Sequence, residues 1–391
     1  MNISIEDREK VAVVVVGYNR LKPIQRLFSS LLRADYGGKE VPLIISIDCS
    51  NDEALYEYVR NIAWPYGNKY VRIQEKRLGL KEHIFQCGDL TEYFRAVILL
   101  EDDVFVSEFY YNYVVRAIAY YNDEDRIGGI SLISSEMGFP SLPMLYLQDG
   151  SDTFLRQFPA SWGECWTKEQ WRHFKEWYKT FTEDRFDAVD VPQRIKVWKH
   201  AWSKYFVAYL IETERYFLYP YISHSTCFHD AGVHSAHIST YTQTNLLAGP
   251  KEYYFRPFDS MQKYDSFFIN EAVYQWIGMP KEKLCIDWYG VHHIKKRYRY
   301  VLTTQVLPLK VIKTYGLQMR PIELNVKYEV EGNELFLYDT EFCNDVKFDK
   351  SIPVSVGYYY IRLFNFNLIV KYVLSYLKKV IYSKFSIFNR K

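Results

Sequence analysis

The 391-residue chain has no Cys-x-x-Cys pair, no apolar run long enough to cross a bilayer, and almost no net charge. Each absence excludes something. Its six cysteines, Cys49, Cys87, Cys165, Cys227, Cys285 and Cys343, are scattered, so they read as reduced, mostly buried thiols rather than a disulfide or zinc framework. The longest aliphatic run near the start, VAVVVV, is far too short to span a membrane. The opening MNISIEDREK shows no cationic leader followed by an apolar stretch, which gives the expectation of a cytoplasmic protein. A formal charge of +2, from 49 basic and 47 acidic residues, carries no whole-chain signature of nucleic-acid binding. No G-x-G-x-x-G follows the first apolar run and no G-x-x-x-x-G-K-[ST] occurs anywhere, so a dinucleotide oxidoreductase or a P-loop NTPase is poorly supported.

What is abundant is aromatic. Aromatics make up 18% of the chain, with 36 Tyr and 9 Trp, and such rings build cores, stack on sugars or bases, or sit at membrane interfaces. Hydrophobic content of 48% over this length allows a large core and more than one folding unit.

The first hundred residues alternate between two periodicities. VAVVVVGYNR (11–20), VPLIISIDCSND (41–52), KYVRIQEK (69–76) and RAVILLEDD (95–103) are apolar runs closing on polar residues, as strands of a parallel sheet do. Between them, LKPIQRLFSSLLRA, ALYEYVRNIA and LKEHIFQCGDLTEYF carry helical spacing. This order predicts an α/β fold, a mostly parallel Rossmann-like sheet flanked by helices. Ligands in such sheets collect beyond the carboxyl ends of the strands. Three ends carry polar sets: Tyr18-Asn19-Arg20, Asp48 to Asp52, and Glu101-Asp102-Asp103.

Three adjacent carboxylates repel one another, so something must offset the cost. Two readings stand side by side. The helix predicted over VSEFYYNYVVRAIAYY, capped by Ser107, would favour acids at its positive end. Alternatively the triplet holds a hard divalent ion, Mn²⁺ or Mg²⁺, against a diphosphate.

VVVVGYNR, ISIDCSND, RLGLKEHI and VILLEDDVFVSEFYYNYV, in this order, resemble the nucleotide-binding half of a GT-A glycosyltransferase. The nearest flavour is the family 2-like branch around N-acetylglucosaminyltransferase I and bacterial surface-polysaccharide enzymes, in which Glu-Asp-Asp replaces Asp-x-Asp. SWGECWTKEQW, CFHDAGVHSA, LCIDWYG and MRPIELNV extend the likeness over roughly residues 10 to 340. The resemblance implies a metal-dependent, inverting transferase using a nucleotide-diphosphate sugar, with uridine as the base. Asp103 would coordinate Mn²⁺ or Mg²⁺. Glu101 and Asp102 would hold ribose, donor sugar or metal-bound water, and Tyr18, Arg20 and Asp48 would surround the nucleotide. Trp162 falls in the turn that walls donor from acceptor. A loop of the form Asp-x-Gly-x-His picks out Asp230, Gly232 and His234, the last as a further metal ligand. Read bottom-up, Asp48 could instead cap the next helix and Arg20 form a surface ion pair. The four histidines at 224, 229, 234 and 237 match no zinc spacing.

The catalytic base has no single match. The stretch corresponding to a Trp-Asp-x-x-Trp pattern is VWKHAW, with Lys199 or His200 at the acidic position. His200 can serve as a base. Glu164, Asp187 and Asp190 are alternatives, and Glu164 could equally be an acceptor ligand or an exposed variation.

The resemblance divides the chain into a catalytic domain (1–249), a smaller α+β extension (250–350), with a hairpin expected in IELNVKYEVEGNELFLYDT, and a tail (351–391). From Arg362 onward the tail has seven Lys/Arg and no Asp or Glu, with apolar residues at helical spacing, the pattern of a helix lying on an anionic membrane surface. Partners are then a nucleotide-sugar donor, a glycan or lipid-linked acceptor and the cytoplasmic face of the inner membrane, with no nucleic acid. A sugar nucleotidyltransferase would want a Gly-rich basic loop after the first strand, which VGYNRLKP lacks. A non-catalytic, membrane-associated binder of nucleotide sugar or glycan is the reading from another class.

Overall fold

Val11–Gly17 (β1) is buried at every position, and this follows from its neighbours. It lies between two other strands of one sheet, and apolar side chains from helices cover both of its faces, so neither meets water. The computed structural model describes residues 3–134, 144–199, 201–228, 230, 243–292, 298–341, 354–362 and 365–388. After β1 come helix α1 (Leu21–Leu31), strand β2 (Leu43–Ile47), α2 (Glu53–Asn61), β3 (Lys69–Ile73), α3 (Leu80–Gly88) and β4 (Ala96–Glu101). The alternation read from the periodicities is therefore present. A short strand β5 (Val104–Val106) precedes α4 (Tyr110–Tyr120), followed by β6 (Ile127–Ser131), β7 (Thr153–Arg156) and β8 (Glu164–Thr167). Then follow α5 (Lys168–Thr180), α6 (Gln193–Lys196), α7 (Trp202–Glu212), β9 (Tyr216–Pro220), β10 (Ser225–Cys227) and β11 (Lys263–Tyr264).

Nine strands form one twisted sheet in the order β11-β7-β9-β6-β8-β4-β1-β2-β3. The run β4-β1-β2-β3 is parallel throughout, while β8 runs antiparallel to both β4 and β6. Helices cover the sheet, and the fold is mixed α/β as expected. One core lies under α1, α2 and α4, and a second under α3, α5 and α7. β11, at residues 263–264, pairs parallel with β7 at the edge of this sheet.

The remaining elements are α8 (Ala272–Ile277), β12 (Leu284–Asp287), β13 (Tyr300–Thr303), β14 (Lys310–Tyr315), α9 (Glu323–Lys327), β15 (Leu335–Asp339), α10 (Val354–Ile361) and α11 (Phe366–Phe388). A four-stranded sheet, β12-β13-β15-β14, has its own apolar core. The hairpin expected within residues 322–340 is corrected here. Its first half is helical, because the fully buried Asn325 accepts from the Gln318 and Met319 amides, each at 2.8 Å, and closes a turn. β15 pairs instead with β14. Ser107 does not cap α4, which starts three residues later; its hydroxyl accepts from the Phe109 amide at 3.2 Å. None of the five cysteines among the described residues is in a disulfide, and four of them are buried.

His224, one of the four clustered histidines, is core rather than ligand. Its ring stacks on Tyr113 at 4.5 Å and 7°, and it is 1% exposed. Burial, then the nearby Lys251, lowers its pKa to about 3. The unfolded chain takes up this proton as pH falls below histidine's usual 6.5, whereas the folded chain refuses it until about pH 3. Stability attributable to His224 is therefore complete above pH 6.5 and drains away as pH falls. Replacing it by Phe keeps the stack and removes the titration. We expect the stability gap between wild type and His224→Phe to shift by about 2 kcal/mol in favour of the variant between pH 7 and pH 5, measured by urea unfolding.

Candidate functional site

Parallel register brings the three polar strand ends side by side. Val16 is opposite Glu101 and Gly17 opposite Ile47, so Tyr18, Asp48 and Asp102 leave the sheet at one edge. They open into a cavity of about 330 Å³, lined by Tyr18, Arg20, Asp48, Glu101, Asp102, Asp103 and Trp162 among others. All three sequence-derived sets thus meet in one place.

Arg20 is the tie between them. Its Nε donates to Asp102 Oδ2 at 3.1 Å, its Nη2 pairs with Asp102 Oδ1, and the same Nη2 lies 3.3 Å from Asp103 Oδ2. Its Nη1 donates to the Asp230 carbonyl at 3.3 Å. The guanidinium is half-buried against the triplet, so the surface ion pair considered for it is replaced by an internal one. Asp230 reaches the site through a two-stranded ribbon. β10 pairs antiparallel with β5, setting Cys227 opposite Val104, and the Phe228 amide donates to the Asp103 carbonyl at 3.0 Å. The Asp230 carboxylate is then gripped by Arg26, whose guanidinium also lies 3.9 Å over the Phe228 ring.

The electrostatics are lopsided. The lining holds five carboxyl groups, Asp48, Glu101, Asp102, Asp103 and Asp230, against two guanidiniums, Arg20 and Arg77. Burial, then the charges of Asp103 and Asp102, pushes Glu101 up to about 8. Burial raises Asp102 to about 6 despite its contact with Arg20. His83, also in the lining, adds no positive charge, since burial lowers its pKa to about 4. One acceptor is left over: Asp103 Oδ1 is buried and has no hydrogen-bond partner among the described residues. An unpaired carboxylate oxygen in a surplus of negative charge suits a hard cation. No group of three or more His, Cys, Asp or Glu among the described residues is disposed to hold a metal ion alone. Magnesium-type sites commonly use one or two carboxylates and complete their shell with substrate phosphate and water.

Asp48 is not the cap of α2, though it lines the cavity. Asp52 caps α2, while Asp48 accepts from the amides of Cys49 at 2.9 Å, Leu78 at 2.8 Å and Gly79 at 3.0 Å. It pins the loop entering α3, where Gly79 has φ +82°, ψ 164°, a conformation open essentially to glycine.

The candidate bases part company. Glu164 is 1% exposed on β8, facing Leu99 and Ser131 across its two neighbours, and it does not line the cavity. Burial, then the charge of Glu101, drives its pKa well above the carboxylate range. The exposed-variation reading of Glu164 is therefore corrected. Asp187 is exposed on a 3-10 turn and lines a separate pocket of about 90 Å³ with Asp190, His292 and Tyr298. Lys199 is exposed. His200, Gly232 and His234 lie outside the described residues, but Ala201 and Trp202, which follow His200, line the cavity.

Three contributors escaped the sequence reading: Arg26, Arg77, which lies 4.7 Å over the Tyr18 ring, and Trp202. Trp202 had a signal, its place in VWKHAW, and Arg77 opens the quoted RLGLKEHI; Arg26 had none.

No family model matches the chain, and no curated protein matches it. Solved structures do. S. aureus TarS 1-349 in complex with UDP-GlcNAc aligns over 54% of this chain and 58% of its own, at 17% identity and TM-score 0.34. GalNAc-T7 with UDP, GalNAc and Mn²⁺ aligns over 54% and 42%, at 14% identity and TM-score 0.38. The mannosyltransferase PcManGT from Pyrobaculum calidifontis, with GDP-Man and Mn²⁺, aligns over 34% and 37%, at 15% identity and TM-score 0.27. The chain spans little more than half of the first and less than half of the other two. TM-scores this low carry no assignment of fold or chemistry to this chain.

Removing the Asp48 carboxylate orphans three amides at once. Asp48→Ala is expected to cost about 3 kcal/mol, and Asp48→Asn, which keeps one acceptor oxygen, about 1 kcal/mol. Urea unfolding of the three proteins checks both values and their order.

Proposed function

We propose that the chain is a metal-dependent glycosyltransferase that takes a sugar from a nucleotide-diphosphate donor with uridine as its base. The observation that carries this reading is the meeting of three parallel strand ends on one acidic cavity in which Asp103 Oδ1 has no partner. Asp103 would hold the divalent ion, with His234 as a further ligand implied by the family resemblance. When bound, Mn²⁺ or Mg²⁺ supplies Lewis-acid neutralisation of the leaving diphosphate.

The chain's own residues divide the remaining work. Arg20 holds Asp102 and the Asp230 segment in place, so the acidic edge keeps its shape when the donor arrives. Arg77, stacked over Tyr18, offers positive charge and a flat surface for the nucleotide. Trp162 presents an aromatic wall of the kind that suits a sugar face. Inverting transfer requires a base for the acceptor hydroxyl. Glu164 is ill suited, because its burial disfavours the charged form a base needs and it sits off the cavity. Asp187 is elsewhere. His200 is the remaining candidate, supported by the place of its neighbours Ala201 and Trp202 in the lining. The acceptor we assign is a growing surface polysaccharide or glycolipid.

Calorimetric titration with a panel of UDP- and GDP-sugars, with and without Mn²⁺, tests the reading. Wild type is expected to bind one nucleotide in a metal-dependent way, and Asp103→Ala to weaken that binding by about 10²-fold or more while leaving the fold intact. Failure of the folded protein to bind any of them would overturn the assignment in favour of a non-catalytic role.

A further inference from the structure

Every helix that covers the two sheets hides its apolar stripe, and α11 does not. In α1 the side chains of Ile24, Leu27, Phe28 and Leu31 are at most 1% exposed. Along the first half of α11, Phe366 is 75% exposed, Val373 52%, Leu374 53% and Leu377 48%. These residues, with Ile369 and Val370, recur at helical spacing on one side, and Asn367, Lys371, Ser375 and Lys378 fall on the other. The helix is also tied at its root. Tyr359 and Tyr360 of α10 are buried in the C-terminal core, and the Arg362 guanidinium donates to the Leu317 and Gln318 carbonyls at 2.7 and 2.9 Å. Beyond that anchor α11 runs for 23 residues, about 34 Å, and from Phe366 to Leu377 its apolar stripe is in water.

We propose that α11 is an interfacial helix whose occupant is an anionic lipid surface. Charge decides between this and a second copy of the chain. From Arg362 to Lys391 there are seven Lys/Arg and no acid, so pairing two such helices would set like charges together with nothing to answer them. An anionic headgroup layer answers all of them, and a stripe of Phe, Val and Leu flanked by Tyr372 and Tyr376 suits the headgroup–acyl boundary. No helix among the described residues is long and apolar enough to cross a membrane, so α11 would lie along the surface.

The test is co-sedimentation of the full chain with vesicles of phosphatidylcholine alone or mixed with phosphatidylglycerol, at low and high salt. Expected are binding to the anionic vesicles at least about tenfold stronger than to the neutral ones, and weakening by salt. Val373→Glu with Leu377→Glu should abolish binding, and Lys371→Gln with Lys378→Gln should reduce it by about tenfold. All four positions are exposed, so an unchanged melting transition confirms that each variant is folded. Equal sedimentation with both vesicle types, insensitivity to the glutamates, or a concentration-dependent dimer that the glutamates dissolve would each overturn the proposal.

Discussion

Five carboxyl groups and two guanidiniums share one cavity wall, and much of the site's architecture answers that imbalance. Charges this close, partly withdrawn from water, cannot all ionise freely. The structure answers in three ways. Arg20 is spent on Asp102 and Asp103, and Arg26, from the same helix, on Asp230. Asp48 is satisfied by amides rather than by a cation. Glu101 rises toward neutrality. What is left is Asp103 Oδ1, and nothing in the described wall answers it. A diphosphate entering such a site brings more negative charge, so binding one requires a cation for electrostatic reasons that owe nothing to family resemblance.

The same imbalance explains the connections around the triplet. Without the β5–β10 ribbon, Asp230 would have no reason to lie beside Arg20, some two hundred residues away in sequence. With it, one backbone hydrogen bond from Phe228 to Asp103 and two arginines from α1 lock the segment to the sheet edge. The site is therefore closed on one side by the helix that follows β1 and on the other by a strand from the far half of the chain. An analogous cross-tie joins the two units: His292 Nε2 lies 3.4 Å from Asp190 Oδ2, and its Nδ1 lies 3.3 Å from Cys285 Sγ.

The sheet and the cavity's location were legible because apolar β-branched runs that stop abruptly at polar residues have few other meanings. Val11 to Val16 and Ala96 to Leu100 are such runs, and parallel pairing then fixes where their ends point. Side-chain chemistry was less legible wherever the partner is backbone or comes from afar. Asp48 looks like a ligand or a cap, and nothing in its neighbourhood announces the Leu78 and Gly79 amides thirty residues on. Arg26 sits on an ordinary amphipathic helix until the ribbon delivers Asp230. Glu164 lies in a turn-like stretch that reads equally as a base, an acceptor ligand or an exposed variation, yet β8 slots between β4 and β6 and takes the side chain out of water. Asp187 sits in a polar stretch that a linear pattern cannot place in space.

The surplus of aromatic residues resolves into separate uses, and the largest one positions the smaller. Trp166, Trp171, Phe174 and Phe206 form one contiguous stack, with Phe174 and Phe206 4.3 Å apart and Trp166 5.4 Å from both Phe206 and Trp202. This stack joins α5 to α7 beneath the sheet and so sets where α7 begins. Its first residues, Trp202 and Ser203, are in the cavity wall opposite the acidic edge. A close-packed aromatic cluster has few alternative arrangements. The start of α7 therefore inherits a fixed place in the cavity wall from the rings packed behind it. Tyr18, Trp162 and Trp202 line the cavity, and the rings of α11 belong to a different surface altogether.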